Sequence, residues 1–279
     1  MLIDTHAHIH QHTKGEWDDI VHRAVTNNVC GIFTSGTSIE DSRLAIEMAS
    51  IYKNIFAGIG VHPTELTRSL NTVDLAKMSE LAGSTQVIVM SEIGIDHQKQ
   101  SPSREWQVES FFNQIDIAKK HSLPIIFHTR EEDDDYDARS ARSTVTSILK
   151  ESSAGEVGGA AHYFQGRWPF AKELLDLGFH ISFAKTLTRV TELEETAVNT
   201  PSSRILLESD AYPQVFKKNR SKWTEPKDIP FVATKLAELR GITIKEVEAF
   251  TTENALEMIR KRSPNIQNTI NKSIAPVNS

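Results

Sequence analysis

The chain has 279 residues, with 37 acidic side chains against 31 basic ones and a formal net charge of −6. Its single cysteine, Cys30, excludes an intrachain disulfide framework and zinc sites built from several thiolates. The acidic balance argues against a broad basic groove for nucleic acid, though not against nucleic acid entering a local metal site.

In chain order, short apolar runs alternate with longer amphipathic stretches. Strands are expected at Leu2–His6, Val29–Thr34, Ile55–Gly60, Val87–Gly94, Ile125–His128, Val157–His162, Phe179–Phe183 and Ile205–Asp210. Several are apolar throughout, as expected of strands covered on both faces. The periodicity predicts helices over Trp17–Asn27, Ile39–Tyr52, Val73–Leu81, Arg104–His121, Thr144–Lys150, Pro169–Leu177 and Glu192–Val198, then Ile229–Leu239 and Ile244–Arg262. Ser103 is placed to cap the helix from Arg104, with Gln107, four residues on, as a loose capping-box partner, and Thr243 with Glu246, three residues on, has the capping-box spacing. Gly178 and Gly241 follow helical segments where a left-handed residue closes the last turn.

Eight β-then-α units imply a single-domain (β/α)8 TIM barrel over residues 1–262. A doubly wound open sheet is the alternative, but no Gly-rich phosphate turn follows the first strand. Residues 263–279, rich in Asn, Ser, Pro and Ile, are expected to form a flexible tail. Apolar runs such as Ile55–Val61 fall far short of the roughly 20 residues of a membrane-spanning helix, so no membrane partner is expected. The N-terminus lacks a basic and an apolar region, which makes a cytoplasmic location the expectation.

Chemistry concentrates at the strand ends. Residues two apart on a strand face one side, so His6 and His8 point two imidazoles into the C-terminal mouth of a barrel, where barrel active sites lie. Asp4 falls on the same face, one step deeper. The same alternation groups Met90, Glu92 and Gly94, then Ile126, His128 and Arg130, then Leu206, Glu208 and Asp210, and a further strand ends in His162. Charged side chains are rarely buried unless paired or metal-bound. Five strand ends carrying four histidines and two carboxylates suit two divalent ions that share a carboxylate. Zn²⁺ or Mn²⁺ fits this donor set, as do Mg²⁺ and Ni²⁺.

The chain resembles the TatD family of metal-dependent deoxyribonucleases, within the amidohydrolase-like barrels. The matching segments are Ile3-Asp-Thr-His-Ala-His8, Gly58-Ile-Gly-Val-His-Pro63, Glu92-Ile-Gly-Ile-Asp96, Pro124-Ile-Ile-Phe-His-Thr-Arg130, His162-Tyr-Phe-Gln-Gly166, Leu206-Leu-Glu-Ser-Asp210 and Thr251-Thr-Glu-Asn254. The resemblance implies that His6, His8 and Asp210 hold one metal, that His128 and His162 hold the other, and that Glu92 bridges them. It implies a catalytic group of Asp210, Glu92 and His62, with Asp210 as general base for the attacking water. His62 would meet the substrate, touching phosphate or assisting the leaving group. Otherwise it is a loop histidine packed beside Pro63. Arg130 would pair with a phosphate, or else with the acidic residues that follow it. Asp4 and Glu208 would accept hydrogen bonds from the ligand imidazoles, and Arg204 is an alternative partner for Glu208.

The implied reaction is hydrolysis of phosphodiester bonds in DNA, by a monomer or weak homo-oligomer. The alternative is an amide or ester hydrolase, such as an aminoacyl-tRNA deacylase. His10, His97, Ser91, Tyr163 and Gln165 depart from the family pattern and bear on the substrate pocket, not on the metal ligands. His10 and His12 read as loop or rim residues. Trp168 and Trp223 are either base-stacking or packing residues. Glu131–Asp137 holds six acids in seven residues, and without them acids and bases would be equal in number. It reads as a solvated loop at the mouth that repels a polyanion, favours short substrates or attracts metal ions.

Overall fold

Every residue of the first strand, β1 (Leu2–Ala7), is buried. In the computed structural model, which describes residues 1–263, it begins a parallel sheet whose strands neighbour one another in chain order. The others are β2 (Val29–Ser35), β3 (Ile55–Ile59), β4 (Val87–Asp96), β5 (Ile125–Arg130), β6 (Gly159–Ala161), β7 (His180–Phe183) and β8 (Ile205–Leu207). The ring closes through backbone bonds from Asp210 N to the His6 carbonyl, 3.0 Å, and from His8 N to the Ala211 carbonyl, 2.6 Å. These contacts join β1 to the segment after β8, and the result is the expected (β/α)8 barrel. Apart from Ser263, the expected tail lies outside the described residues.

The helices are α1 (Lys14–Thr26), α2 (Ile39–Ile51), α3 (Thr72–Ala82), α4 (Arg104–Lys120), α5 (Ser140–Glu151), α6 (Trp168–Asp176), α7 (Glu194–Asn199), α8 (Ile229–Arg240) and α9 (Ile244–Ile259). None among the described residues is long and apolar enough to cross a membrane. Helix α1 starts three residues before its apolar pattern because Thr13 and Glu16 form a capping box. Helix α5 starts at Ser140 rather than Thr144 because the buried Glu131 carboxylate accepts the N–H groups of Ala141 and Arg142. The box at Thr243 and Glu246 forms as expected. Ser103 makes no side-chain cap. Gln107 instead bonds the Asp96 backbone N–H at 2.8 Å and carbonyl at 2.9 Å, and so pins the end of β4. Gly241 closes α8 at φ +63°, the left-handed conformation that glycine adopts at no steric cost.

Helix α9 closes the bottom of the barrel. Its Ala255, Met258 and Ile259 cluster with Ile3, Phe33, Phe56, Ile126 and Leu206 from the strands. Asn254 donates to the carbonyls of Ser202 and Ile205, at 2.7 and 2.8 Å, where β8 begins. Its place in the Thr251–Asn254 segment is thus structural, at the far end of the strands from their C-terminal mouth.

Candidate metal centre

Glu92 does not reach the mouth by strand alternation. Ser91 pairs with Ile126 and Ile93 with Phe127, so Glu92 is the extra residue of a bulge. Its φ is +61°. The bulge re-aims its carboxylate toward the histidines. Asp210 is also displaced from the expected pattern. Strand β8 ends at Leu207, and Asp210 turns inward on a left-handed backbone, φ +49°. Strand β6 is likewise shorter than expected, and His162 follows it.

The convergence is close. His6 Nε2 lies 2.8 Å from Glu92 Oε1, and His8 Nε2 lies 3.5 Å from the same oxygen and 3.4 Å from Asp210 Oδ1. His162 Nε2 lies 3.2 Å from Glu92 Oε1, and His62 Nε2 lies 3.2 Å from Glu92 Oε2. Ligand atoms of His6, His8, Glu92 and Asp210 all fall within 4.8 Å of one another, as do those of His62, Glu92 and His128. Glu92 belongs to both groups. His162 stands between them, stacked on His6 at 4.1 Å and 5.7 Å from the His128 ring.

Neighbouring groups set the tautomers. His8 Nδ1 donates to the Ser35 carbonyl at 2.6 Å, so Nε2 is the ring nitrogen turned to the carboxylates. The Ser35 and Ser91 hydroxyls lie 3.3 and 3.2 Å from His6 Nδ1 and hold the ring with Nε2 turned to Glu92. His62 is opposite in sense. The Thr64 backbone N–H donates to its Nδ1 at 3.2 Å, which leaves the proton on Nε2, pointing at Glu92. Burial pushes the His62 imidazole down to about 3, so it is neutral. Its free ring nitrogen is therefore a donor, not a lone pair.

Burial works against the charge on Glu92, but the His62 and His162 rings and the bonds to His6 and His8 hold it well below the usual carboxylate range. Burial alone would lower His162, yet Glu92 and Glu208 raise it to about 9. Both ring nitrogens of His162 are buried and neither makes a well-directed hydrogen bond, although Glu92 and Glu208 lie 3.2 and 3.4 Å away. A buried imidazole set between carboxylates without a well-directed bond to either fits a bound cation. The donor set of nitrogen and oxygen atoms fits a divalent metal.

The surrounding shell differs from expectation in several places. Asp4 meets no imidazole. It accepts from Ser209 Oγ at 2.6 Å and from the Ser209 and His6 backbone N–H groups. Burial pushes its carboxyl up to about 8. It therefore anchors the turn that delivers Asp210. Glu208 accepts from Tyr163 N at 2.6 Å and from Ser182 Oγ, with His162 Nδ1 at 3.4 Å. Arg204 bonds the Gly178 carbonyl instead. His10 and His12 are buried, not at the rim, and His10 lies between Thr34 Oγ1 at 2.7 Å and Asp41 Oδ1 at 3.1 Å. Asp96, given no role from sequence, sits 3.0 Å from His128 Nε2. Its even spacing from Gly94 on β4 was the available signal.

The centre opens into a cavity of about 830 Å³ whose wall includes His62, Arg130, Asp134, Arg189, Asp210 and Tyr212. Arg130 is engaged by the acidic loop, with Nε and Nη2 at 2.7 and 3.1 Å from the Asp134 carboxylate. The loop is not a bare solvated run. Glu131 is the buried cap of α5, Lys99 pairs with Glu132 and Asp133, and Arg167 pairs with Asp137. Trp168 packs against the core, and Trp223 donates to the Lys217 carbonyl.

Comparison with known proteins identifies the family. The profile of the family described as TatD related DNase matches residues 3–260. The chain is 33% identical over 263 residues to YabD of Bacillus subtilis, an "uncharacterized metal-dependent hydrolase", covering 93% of this chain and 99% of that one. It is 26% identical over 254 residues to the "3'-5' ssDNA/RNA exonuclease TatD" of Cronobacter sakazakii, covering 88% and 92%. The crystal structure of YJJV, a TatD homolog from Escherichia coli K12, superposes with a TM-score of 0.79 at 23% identity, over 93% of this chain and 98% of that one. The chain belongs to the TatD family of metal-dependent hydrolases.

Proposed function

We propose that the chain is a nuclease that hydrolyses phosphodiester bonds of single-stranded DNA. The observation that carries this reading is the Glu92 carboxylate, shared between two histidine groups at the floor of an open cavity. The exonuclease name of the Cronobacter relative supports the choice of bond. His6, His8 and Asp210 would hold one divalent ion, His128 and His162 a second, with Glu92 between them. Zn²⁺, Mn²⁺, Mg²⁺ and Ni²⁺ all suit these donors. When bound, such ions lower the pKa of water and screen charge on phosphate oxygens.

The chain's own residues divide the remaining work. Asp210, part-exposed to the cavity, takes a proton from the attacking water as the water oxygen bonds to phosphorus, the opposite P–O bond breaks and the departing sugar oxygen takes a proton from solvent to leave as a hydroxyl. His62 offers its Nε2–H to a phosphate oxygen. Arg130, exchanging Asp134 for substrate, holds a non-reacting phosphate in bidentate fashion. Asp96 and Ser35 keep the rings of His128 and His8 in position.

The test is incubation of metal-loaded protein with end-labelled single-stranded DNA, beside ester and amide panels that include aminoacyl-tRNA. Wild type should cleave the strand, and Asp210→Asn, with metal content unchanged, should lose at least a hundredfold in kcat. Cleavage of esters or amides but not DNA overturns the choice of bond. Wild-type turnover by Asp210→Asn overturns the base.

A further inference from the structure

The segment that leaves β8 carries features the metal centre does not use. Between Ala211 and Thr224 there are four cations, Lys217, Lys218, Arg220 and Lys222, and no acid. Arg220 is committed to Glu16 and Glu225, at 3.0 and 2.8 Å. Lys217 Nζ donates to Gln214 Oε1 at 2.6 Å, while Lys218 and Lys222 are exposed and form no ion pair among the described residues. Beside them stand Val215 and Phe216, 80% and 68% exposed, the most exposed large apolar residues among those described. Elsewhere an exposed aromatic is unremarkable. Here it lies within a run of unneutralised lysines.

The position ties this segment to the cavity. It follows Asp210 directly, and Tyr212 lines the cavity wall. Its base is held. Trp223 donates to the Lys217 carbonyl at 3.1 Å and lies under the Arg220 guanidinium at 4.5 Å, and Gln214 accepts from Thr224 N at 3.0 Å. The tip is thereby presented outward on a fixed stem. The loop after β5 contrasts with it, because the cations there are matched to their own acids. A polyanion leaving the cavity therefore meets free positive charge on the β8 side of the mouth. Bases offer π-faces to an exposed ring, and phosphates offer charge to lysines.

We propose that residues 215–222 form a docking platform for the single strand beyond the scissile phosphate. Phe216 stacks on an unpaired base, and Lys218 and Lys222 contact backbone phosphates. This rests on the nuclease reading for the identity of the polymer, but strand binding is measurable without cleavage.

The test is fluorescence anisotropy with a labelled phosphorothioate oligothymidylate long enough to span cavity and loop, titrated over a range of salt. Phe216→Ala should weaken binding about fivefold or more. Lys218→Gln/Lys222→Gln should lower the salt slope by about 1.4, since each phosphate contact on a single strand contributes roughly 0.7. Exposed positions leave the unfolding midpoint unchanged, which checks the fold of both variants. Wild-type affinity and slope in both variants overturn the proposal. So does binding of phosphatidylserine vesicles, lost in Phe216→Ala, with no binding of the strand. The nuclease reading fails separately. If the loop binds the strand and metal-loaded protein never cuts its phosphodiester counterpart, the platform stands and that reading falls. If wild type cuts while both variants bind normally, the reverse holds.

Discussion

Gly94 stands directly against His128, in the β4–β5 register, with no space for a side chain between them. A Cβ at position 94 would lie 2.0 Å from the His128 carbonyl oxygen, on a backbone with φ +152°. The close approach holds β5 against the bulge that delivers Glu92. Gly94→Ala must push the strands apart or strain the backbone. It should cost about 2–3 kcal/mol of stability by denaturant titration. It should also lower metal affinity, because His128 moves. An unchanged midpoint would show that the sheet absorbs the methyl group.

The barrel was legible because its signals are periodic. Apolar runs at regular spacing mark strands, and capping boxes such as Thr243 with Glu246 mark helix starts. Strand alternation pointed to His6 and His8, although the β1 register slips between Asp4 and Ala7 and His8 lies just past the end of the strand. Glu92 and Asp210 were found for the wrong geometric reason. Neither reaches the mouth by alternation; a bulge and a left-handed turn bring them there. Such local backbone states leave no mark in hydrophobic period. The acidic loop is exposed at the mouth as expected, apart from Glu131, but most of its partners are not legible in sequence. Charge composition shows the acids and offers Arg130 as a neighbouring partner, but Lys99, Arg167 and the start of α5 come to them only through the fold.

The Arg130–Asp134 pair predicts a divided kinetic effect. The pair is part-exposed and bidentate. Exposed pairs of this kind contribute about 0.2–1 kcal/mol. Asp134→Asn frees the guanidinium and should lower KM for a DNA strand by about two- to fivefold, with kcat little changed. Arg130→Ala should raise KM. If neither variant moves KM, Arg130 serves only the loop.

Metal removal offers a test that does not depend on turnover. A divalent ion bound at a hundredfold excess over its Kd stabilises the fold by about 2.7 kcal/mol. For a chain of this size that is roughly a 5–10 °C rise in unfolding midpoint. The rise should vanish on chelation and return with metal. Glu92→Gln should abolish most of it, because Glu92 belongs to both ligand groups. A Glu92→Gln variant that binds the same number of ions with the same rise would remove the shared-carboxylate assignment.

His180 provides a pH test away from the metal centre. It is buried in β7, with Nδ1 3.1 Å from the Gly159 carbonyl. Burial pushes the imidazole down to about 4, against the bond to Gly159, with Arg204 acting in the same direction as burial. The folded chain therefore holds this ring neutral where the unfolded chain, with an ordinary value near 6.5, protonates it. Stability from this group is complete above about pH 6.5 and is lost as pH falls toward 4. The loss is on the order of 3 kcal/mol across that window, at about 1.4 kcal/mol for each pH unit. Below the folded value both states carry the proton and the slope from this group disappears. His180→Asn keeps a donor for Gly159 and carries no titrating ring. Its stability measured against pH should therefore run flatter than wild type between 6.5 and 4. Parallel curves for the two proteins would place the acid sensitivity elsewhere.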